Sequence, residues 1–418
     1  MRPMPLPVLL IILLATATAG GDAQAADASR FEPIDVFELE WASDPQISPD
    51  GGWIAYVRNF MDIQRDRRAS NIWLVRFDGS EHRPLTSGSA QNTSPRWSPD
   101  GERLLYVSTH SGSTQLHVAW LDAGQEARLT QLTEPPSAVS WSPDGRQIAL
   151  SMSVPYEPEP LADLPEPPEG AEWAARPRVV ERVTYRADGT GFLDPSFTHK
   201  FVVPAEGGTP RQVTSGDFHH RGASSWSPDG SSLIFSANRH PDWELEPQNS
   251  EIYELVLEDG TIRALTDRFG PDHSPVVSPD GTKIAYLGFD DRYQGYQVTG
   301  LYVMDRDGSE PRLVTADLDR DVEAPRWSAD GRALYFLYSD RGNTKLARTT
   351  LAGEITVLAD DVGGLSLGRP YAGGAFSLSP TGRWAYTESR PSYPADVAAG
   401  GTDEASDRLT RLNQDLFG

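Results

Sequence analysis

One pentapeptide in this 418-residue chain has the spacing of a nucleophilic serine. Gly364 to Gly368 reads G-L-S-L-G and fits the G-x-S-x-G pattern, in which a turn between strand and helix exposes a serine hydroxyl for acyl transfer. The pattern needs a helix after it and a histidine base, but Arg369-Pro370 follows and no histidine lies beyond His273. A serine without a base is a poor nucleophile. We therefore expect Ser366 to be non-catalytic and predict no catalytic residue elsewhere.

The pair His219-His220, with Asp217 close by, is a second group with possible chemistry. Imidazoles and carboxylates bind zinc, but neighbours on a strand point to opposite faces, the spacing fits no standard zinc pattern and the chain has no cysteine. We expect polar loop residues here and no metal site. The sequence also has no Gly-rich phosphate loop with its lysine and no dinucleotide-binding fingerprint, so we predict no cofactor.

The net charge and the composition of the first residues limit the partners and the location of the protein. Sixty acidic residues against 37 Lys and Arg give a formal charge of −23, which repels phosphate backbones and argues against nucleic acid as a partner. Arg2, the apolar run Leu6 to Ala15 and the small residues at Ala23-Gln24-Ala25 predict a signal peptide over residues 1–25. We expect a secreted or periplasmic protein without a membrane span in the mature chain, and retention through an uncleaved anchor is the alternative.

A repeat of about fifty residues organises the rest of the chain. The phrase Ser-Pro-Asp-Gly or a close variant recurs seven times, starting at Ser48, Ser98, Ser142, Ser227, Ser278, Ser328 and Ser379. An apolar or aromatic stretch precedes each turn and a second strand follows it, and then come a third strand and a short polar fourth strand. Four antiparallel strands repeated seven times predict an all-β, seven-bladed β-propeller over residues 31–414. The turns are therefore structural, and their Ser and Asp residues are not catalytic pairs.

One repeat is longer than the others. Residues 154–177, in the third blade, are rich in proline and acidic side chains, and they cannot form a strand and are poor helix formers. We expect an extended acidic arm on the surface. Long loops on rigid scaffolds also contact ligands or partner domains, and that alternative stays open.

Several segments together resemble a known family. They are the seven turns, the opening Asp44 to Gly51, the stretch Tyr185 to Gly191 (YRADGTG) and the tail Arg408 to Asn413. Over residues 31 to 418 they are similar to the non-catalytic propeller of the prolyl oligopeptidase family, in its acylaminoacyl-peptidase and dipeptidyl-peptidase-like branch. The turns alone are less specific, because TolB-type propellers share them. The resemblance implies a propeller that caps an α/β-hydrolase domain with a Ser-Asp-His triad and limits access to short peptides.

The end of the chain departs from that family pattern. We read Arg408 to Asn413 as the fourth strand of the last blade, and the sequence stops five residues later, where the hydrolase domain of the family begins. We therefore expect a propeller portion truncated before the catalytic domain and inactive by itself. No strand is left over to join the first blade, which begins near Phe37, to the last, so we expect apolar packing between neighbouring blades to close the ring.

The resemblance also suggests where a peptide would bind. Dipeptidyl peptidases of the family hold the free amino terminus of the substrate with acidic propeller residues, and a carboxylate suits an ammonium group. Glu157 and Glu159 are candidates by their chemistry and by their place on the arm, although they do not match the paired-Glu motif of the family.

Three hypotheses for function follow. The first is the substrate-gating propeller of a secreted serine peptidase, with short peptides as ligands and a separate hydrolase domain as partner. The second is a stand-alone TolB-like periplasmic propeller that binds an envelope protein. The third is an enzyme acting through Ser366.

Overall fold

The computed structural model describes residues 31–159, 162, 165, 168–171, 174, 178–364, 373–402 and 404–417. In this part of the chain the fold is all-β and propeller-like, built from antiparallel strands in four-strand units. Helix is limited to a 3-10 turn (Pro33–Phe37) and a short helix α1 (Gln414–Phe417). None of the helices described has the length and apolar character needed to cross a bilayer.

Each unit contains one copy of the Ser-x-Asp-Gly or Ser-Pro-Thr-Gly turn, between its first and second strands, and we number the units in chain order. Unit 1 contains β1 (Trp41–Ile47), β2 (Trp53–Asp62), β3 (Arg67–Arg76) and β4 (His82–Pro84). Unit 2 contains β5 (Asn92–Trp97), β6 (Arg103–Ser108), β7 (Gln115–Trp120) and β8 (Gln125–Arg128). Unit 3 contains β9 (Ser137–Trp141), β10 (Gln147–Pro155), an inserted hairpin of β11 (Arg186–Ala187) and β12 (Gly191–Phe192), then β13 (Ser196–Pro204) and β14 (Arg211–Gln212).

The remaining units repeat this order. Unit 4 contains β15 (Ser225–Trp226), β16 (Ser232–Ala237), β17 (Glu251–Val256) and β18 (Ile262–Ala264). Unit 5 contains β19 (Asp272–Val277), β20 (Lys283–Gly288), β21 (Gly300–Asp305) and β22 (Arg312–Leu313). Unit 6 contains β23 (Val322–Trp327), β24 (Ala333–Asp340), β25 (Asn343–Thr350) and β26 (Ile355–Val362), and unit 7 contains β27 (Phe376–Leu378), β28 (Arg383–Arg390), β29 (Tyr393–Gly401) and β30 (Glu404–Arg408).

Units 1 to 5 are separate four-stranded sheets, whereas units 6 and 7 are joined through a single residue pair, Val362 with Glu388. The first strands of neighbouring units contact one another, as β1 with β5, β5 with β9, β15 with β19, β19 with β23 and β27 with β1. The first strands of these units therefore lie beside one another. Apolar side chains of adjacent units pack face to face between the sheets and form the core.

The repeated turn has the same internal bonds in each unit. The Ser227 hydroxyl donates to a carboxylate oxygen of Asp229 at 2.6 Å, and that oxygen also accepts the Ser231 backbone N–H at 3.0 Å. These bonds stabilise the ionised carboxylate and lower the pKa of Asp229 to about 2. The serine hydroxyls of the other turns are engaged in the same way, to Asp in five units and to Thr381 in unit 7. Because these groups bond to one another, the turns serve the architecture.

In units 2, 3, 4 and 6 a tryptophan directly precedes the turn and joins its unit to the unit before it. Its indole N–H donates across the gap between the units, to a group on the first strand of the preceding unit. The pairs are Trp97 with the Gln46 carbonyl (2.8 Å), Trp141 with the Arg96 carbonyl (3.0 Å), Trp226 with the Ser140 hydroxyl (3.2 Å) and Trp327 with the Val276 carbonyl (2.9 Å). A large apolar ring and one directional N–H thus set the spacing of neighbouring sheets.

A β-bulge interrupts the first strand in five units. Its first residue has a left-handed backbone although it is not glycine, and the five residues are Asp44, Ser94, Ala138, Ser274 and Ala324, with φ of 49°, 56°, 52°, 53° and 51°. Proline follows in all but Ala138. A bulge bends its strand and re-aims the next side chains. We call the position directly before the first serine of each turn the tryptophan position. The bulge sets the direction of the residue that precedes this position.

Units 7 and 1 are in contact through apolar and polar groups. A shared apolar cluster contains Ala42, Ile54 and Tyr56 from unit 1 with Ala385, Val397 and Leu412 from the end of the chain. The Ile47 N–H donates to the Ser377 hydroxyl at 2.8 Å. The Asn413 amide donates to the Glu40 carbonyl at 2.7 Å and accepts from the Glu40 N–H at 2.8 Å. Apolar packing is thus present at this junction, as expected, and the hydrogen bonds were not foreseen.

The prediction of a last strand from Arg408 to Asn413 is wrong, because β30 ends at Arg408. In six units a threonine just after the fourth strand accepts a backbone N–H of the third strand, as Thr410 does from Val397 at 2.9 Å and Thr86 from Ile72 at 2.9 Å. The hydroxyl replaces the carbonyl of a continuing strand. The Leu-Thr or Val-Thr pair at this point therefore marks where the chain leaves the sheet.

The insertion of unit 3 also differs from its predicted bounds of 154–177. Val154 and Pro155 belong to β10 and pair with Phe197 and Ser196 of β13. Pro155 is tolerated because β9 pairs with β10 only as far as Ser151, so the end of β10 has β13 as its one neighbouring strand. The segment between the two strands runs from Tyr156 to Pro195 and contains the β11–β12 hairpin.

Candidate functional site

A cavity with a volume of about 1220 Å³ lies between the insertion and units 3 to 6. One wall comes from the insertion, including Tyr156, Arg182 and Tyr185. The opposite wall comes from the loops before β15 and β17, and the floor from the bulged first strands of units 5 and 6. A space of this size accommodates a short peptide.

Arg182 anchors the insertion to the body of the protein. Its guanidinium lies over the ring of Phe197 at 4.4 Å and near Trp243 at 5.6 Å, and its Nε donates to the Tyr156 hydroxyl at 2.7 Å. An ion pair with Glu244 at 3.3 Å completes the contacts. Arg182 thus connects the insertion to unit 4 through an aromatic box, which consists of Tyr156, Phe197 and Trp243. Cation–π contacts of this kind contribute about 0.5–2 kcal/mol each.

His219 and His220 lie in the loop between β14 and β15, as expected, but they are packing residues rather than solvated ones. The ring of His219 contacts Phe197 and Trp243 and accepts the Thr198 N–H at 3.2 Å. His220 is fully buried, with Arg239 at 2.7 Å from its Nε2. Burial and the nearby arginines lower the pKa of His219 to about 4 and that of His220 to about 3. Both rings are therefore neutral at physiological pH.

A buried lysine supports one wall of the cavity. Lys200 on β13 is 1% exposed, and its ammonium donates to the Ser151 hydroxyl at 2.9 Å and to the Gly222 carbonyl at 2.5 Å. Gly222 and its neighbour Arg221 line the cavity. Burial lowers the pKa of Lys200 to about 7. Because the ammonium group bonds to Gly222, protonation of Lys200 affects the loop before β15.

Two buried carboxylates lie between units 4 and 5. Glu251 is 2% exposed, accepts the Thr266 hydroxyl at 2.5 Å and has the His240 ring at 3.5 Å. Burial raises the pKa of Glu251 to about 7. Asp272 pairs with Arg268, yet burial still raises the pKa of Asp272 to about 6. Neither carboxylate lines the cavity, so we assign them to the packing of the two units.

The sequence candidates stand apart from the walls of the cavity. Glu157 and Glu159 are exposed, and they alternate with Tyr156 and Pro158, which line it. Ser366 and its pentapeptide neighbours from 365 to 368 lie outside the described residues. Among the residues that are described, no group of three or more His, Cys, Asp or Glu side chains is placed to hold a metal ion.

Sequence reasoning missed Arg182, Trp243 and Lys200. Arg182 and Trp243 come together from different repeats, and no spacing rule connects them. Lys200 carries a weak signal, because it interrupts the apolar strand F-T-H-K-F-V-V, where a charged side chain must find buried partners.

A family model described as the TolB beta propeller domain, PD40, matches residues 36–155 and 201–366. The two matched segments together contain most of units 1 to 6. The unmatched residues between them contain the insertion and the start of β13.

Similar proteins include peptidases. The chain is 27% identical over 396 residues to the uncharacterized peptidase YuxL of Bacillus subtilis. The alignment covers 91% of this chain and 58% of YuxL. Acylaminoacyl peptidase of Pyrococcus horikoshii superposes with a TM-score of 0.69 at 17% identity, over 91% of this chain and 54% of that one. The propeller domain of the trilobed protease of Pyrococcus furiosus, described as having an open velcro topology, gives a TM-score of 0.62 at 17% identity, over 91% of this chain and 98% of that domain. The chain thus spans little more than half the length of YuxL.

Proposed function

Because this chain belongs to the family of TolB beta-propeller domains, we propose that it is the substrate-gating, non-catalytic portion of a secreted serine peptidase of the prolyl oligopeptidase family. In this role the propeller admits short peptides, and a hydrolase domain supplies the chemistry. The leader-like residues 1–25 support export. The match to YuxL over 91% of the chain supports the association with a peptidase.

The observation that carries the proposal is the cavity of about 1220 Å³ between the insertion and units 3 to 6. It combines aromatic surface from Tyr156 and Trp243 with charged groups at its rim, a combination that suits the backbone and side chains of a peptide. One of its walls comes from the insertion, which lies in the stretch of the chain that the family model does not match. A gate built in this way admits an extended peptide and excludes a folded protein.

We further propose that the seven units are the seven blades of one ring. The contacts between the first strands of neighbouring units, the indole bonds from unit to unit and the contact between units 7 and 1 support this arrangement. In it, the residue before each tryptophan position faces the axis, and the insertion covers one mouth of the channel along this axis.

Glu157 and Glu159 remain candidates for holding the amino terminus of a peptide. Their exposure beside Tyr156 and Pro158 leaves both carboxylates free to approach an ammonium group at the edge of the cavity. The double substitution E157Q/E159Q then weakens the binding of a peptide with a free amino terminus and leaves the N-acetylated peptide unaffected.

The TolB-like alternative, a stand-alone propeller that binds an envelope protein, is supported by the family description and by the 24% identity to a Tol-Pal system protein TolB over 66% of this chain. The match over nine tenths of the chain to a peptidase favours the first proposal.

Calorimetric titration of the purified chain with di- to pentapeptides tests the gating function. We expect saturable binding of short peptides and none of a folded protein of similar composition. Arg182→Ala weakens peptide binding because the insertion wall is released, whereas Arg146→Gln, at an exposed turn residue that does not line the cavity, is the matched control. Absence of peptide binding at millimolar concentration would refute the gating function.

Hydrolysis assays test the non-catalytic part of the proposal. Aminoacyl and peptidyl chromogenic esters are incubated with the chain and with its Ser366→Ala variant. We expect background rates for both. Turnover that disappears on substitution of Ser366 would identify the chain as an enzyme in its own right.

A further inference from the structure

A second, smaller cavity of about 480 Å³ lies between loops of units 4, 5 and 6. It is formed by the β16–β17 loop (residues 238–250), the β20–β21 loop (residues 289–299) and Asp321, which directly precedes β23. The β16–β17 loop also contributes Trp243 to the larger cavity, and its Pro247 lines both cavities. The second cavity is therefore a direct neighbour of the proposed peptide site.

Three large apolar side chains with unusually high exposure line this small cavity. They are Leu245, Tyr293 and Tyr296, with exposed fractions of 73%, 72% and 65%, the highest among the large apolar side chains of the described residues. Exposed apolar side chains are ordinary when they are scattered singly, whereas a group of them at one place marks a binding surface. The two tyrosine rings are thus available to a ligand.

Hydrogen bonds hold both tyrosine rings in place. The Tyr293 hydroxyl donates to Glu246 at 3.1 Å, and the Tyr296 hydroxyl donates to Asp321 at 3.1 Å. The backbone of Tyr293 is left-handed, with φ of 54°, and its N–H donates to Asp291 at 2.8 Å. Side chains that are fixed before a ligand arrives lose little conformational freedom on binding. The loops therefore present a preformed aromatic surface.

The charged groups around these rings are all negative. Glu246, Asp291 and Asp321 line the cavity, and its lining among the described residues contains no lysine, arginine or histidine. Arg320, the neighbour of Asp321 in the chain, pairs with Asp340 at 3.0 Å instead. Three carboxylates without a cation attract positive groups and repel phosphates and acidic side chains. Charge complementarity therefore selects a cationic ligand for the aromatic surface.

We propose that this cavity binds the side chain of a lysine or arginine residue of the incoming peptide. An ammonium or guanidinium group is attracted to the face of a tyrosine ring, and a carboxylate beside the ring adds a charge-assisted hydrogen bond. The inference rests on the proposed gating function, in which the peptide occupies the larger cavity next to Pro247. It adds a preference for peptides with a basic side chain.

Tetrapeptides with a single cation test this preference. They are N-acetylated and amidated, so that their ends carry no charge, and they contain lysine at each of the four positions in turn. Norleucine at the same position is the matched uncharged control. Calorimetry with the full chain gives the dissociation constants. We expect lysine at one position to bind about tenfold more tightly than norleucine, the effect of one cation that contacts a ring and a carboxylate.

Variants of the cavity show whether the preference belongs to it. Glu246→Gln removes a charge but keeps an acceptor for the Tyr293 hydroxyl, and Tyr296→Leu removes a ring. In both variants the lysine and norleucine peptides bind with similar affinity. Tyr296→Phe keeps the ring and retains most of the preference. Glu258→Gln, at an exposed residue of the turn between β17 and β18, leaves the preference unchanged. Circular dichroism and thermal melting establish that each variant is folded.

The outcomes separate this inference from the gating function. Equal binding of the lysine and norleucine peptides at all four positions overturns the cation site and leaves the gating function intact. A lysine preference that survives in Glu246→Gln and Tyr296→Leu places the cation elsewhere and also overturns the site. Maltotetraose is titrated as a neutral ligand, and if it binds in place of the lysine peptide and is lost in Tyr296→Leu, the surface binds sugars instead. If no peptide binds, both proposals fail.

Discussion

Replacement of Lys200 by methionine perturbs the most deeply buried cation that contacts the cavity wall. The folded protein holds the pKa of Lys200 at about 7, against 10.5 for an ordinary lysine. Between these values the unfolded chain binds more protons than the folded one, so the free energy of unfolding rises as the pH increases. One pKa unit corresponds to about 1.4 kcal/mol, and because Lys200 is half-protonated at pH 7, the rise from pH 7 to pH 9 is about 2 kcal/mol.

Urea unfolding at a series of pH values between 7 and 9 measures this rise. The wild-type chain becomes more stable over the range, and Lys200→Met shows no such gain because the titrating group is gone. Lys283→Met is the matched control, since Lys283 is a surface lysine paired with Asp305 and its variant keeps the rise. A flat wild-type profile, or a rise that persists in Lys200→Met, would show that Lys200 is not held near neutrality.

Three further substitutions test other parts of the structure. Glu251→Gln removes a carboxyl whose pKa is raised from 4.5 to about 7, so the wild-type protein loses stability as the pH rises between those values. Above pH 7 the free energy of unfolding of the variant is higher by up to about 3 kcal/mol, which unfolding curves at pH 5 and pH 8 will reveal or exclude. Trp141→Phe leaves the Arg96 carbonyl without its indole donor and lowers the free energy of unfolding by about 1–2 kcal/mol. Urea titration measures this loss, and an unchanged midpoint of the unfolding transition would contradict a role of Trp141 between units. Arg182→Ala frees the insertion, so trypsin cleaves between Arg178 and Arg186 several times faster, while equal cleavage rates would mean that the aromatic box does not anchor it.

The strand repeats were predictable because the information that specifies them is local. Proline, aspartate and glycine set each turn through backbone geometry and short-range hydrogen bonds, and the apolar stretches around them identify the strands. The sequence also indicated tryptophan before most turns. It could not reveal the partner of the indole N–H, because that carbonyl lies about fifty residues away in the preceding unit.

The strand ends were less predictable, since competing hydrogen bonds decide them. By its residue type Thr410 is expected in a strand. Its hydroxyl oxygen, however, accepts the N–H of Val397, and the strand ends at Arg408. Pro155 looks like a strand breaker, but it lies at the unpaired end of β10. In both places the neighbouring strand settles the boundary.

The candidate site depended most on tertiary structure. Arg182 and Trp243 become neighbours only after the insertion folds back on unit 4. Arg326, which lines the cavity, could by contrast have been found by aligning the repeats, because only Arg326 and Arg96 are charged at a position that is uncharged in the other five units. Composition alone pointed to Glu157 and Glu159, which are exposed at the edge of the cavity.

A crystal structure of the full chain with a saturating N-acetylated tetrapeptide acid tests the proposed gate most directly. We expect seven four-stranded blades in one ring and peptide density in the cavity beside Tyr156 and Trp243. A ring with a different number of blades, or a peptide bound outside this cavity, would contradict the proposed architecture and its gating function.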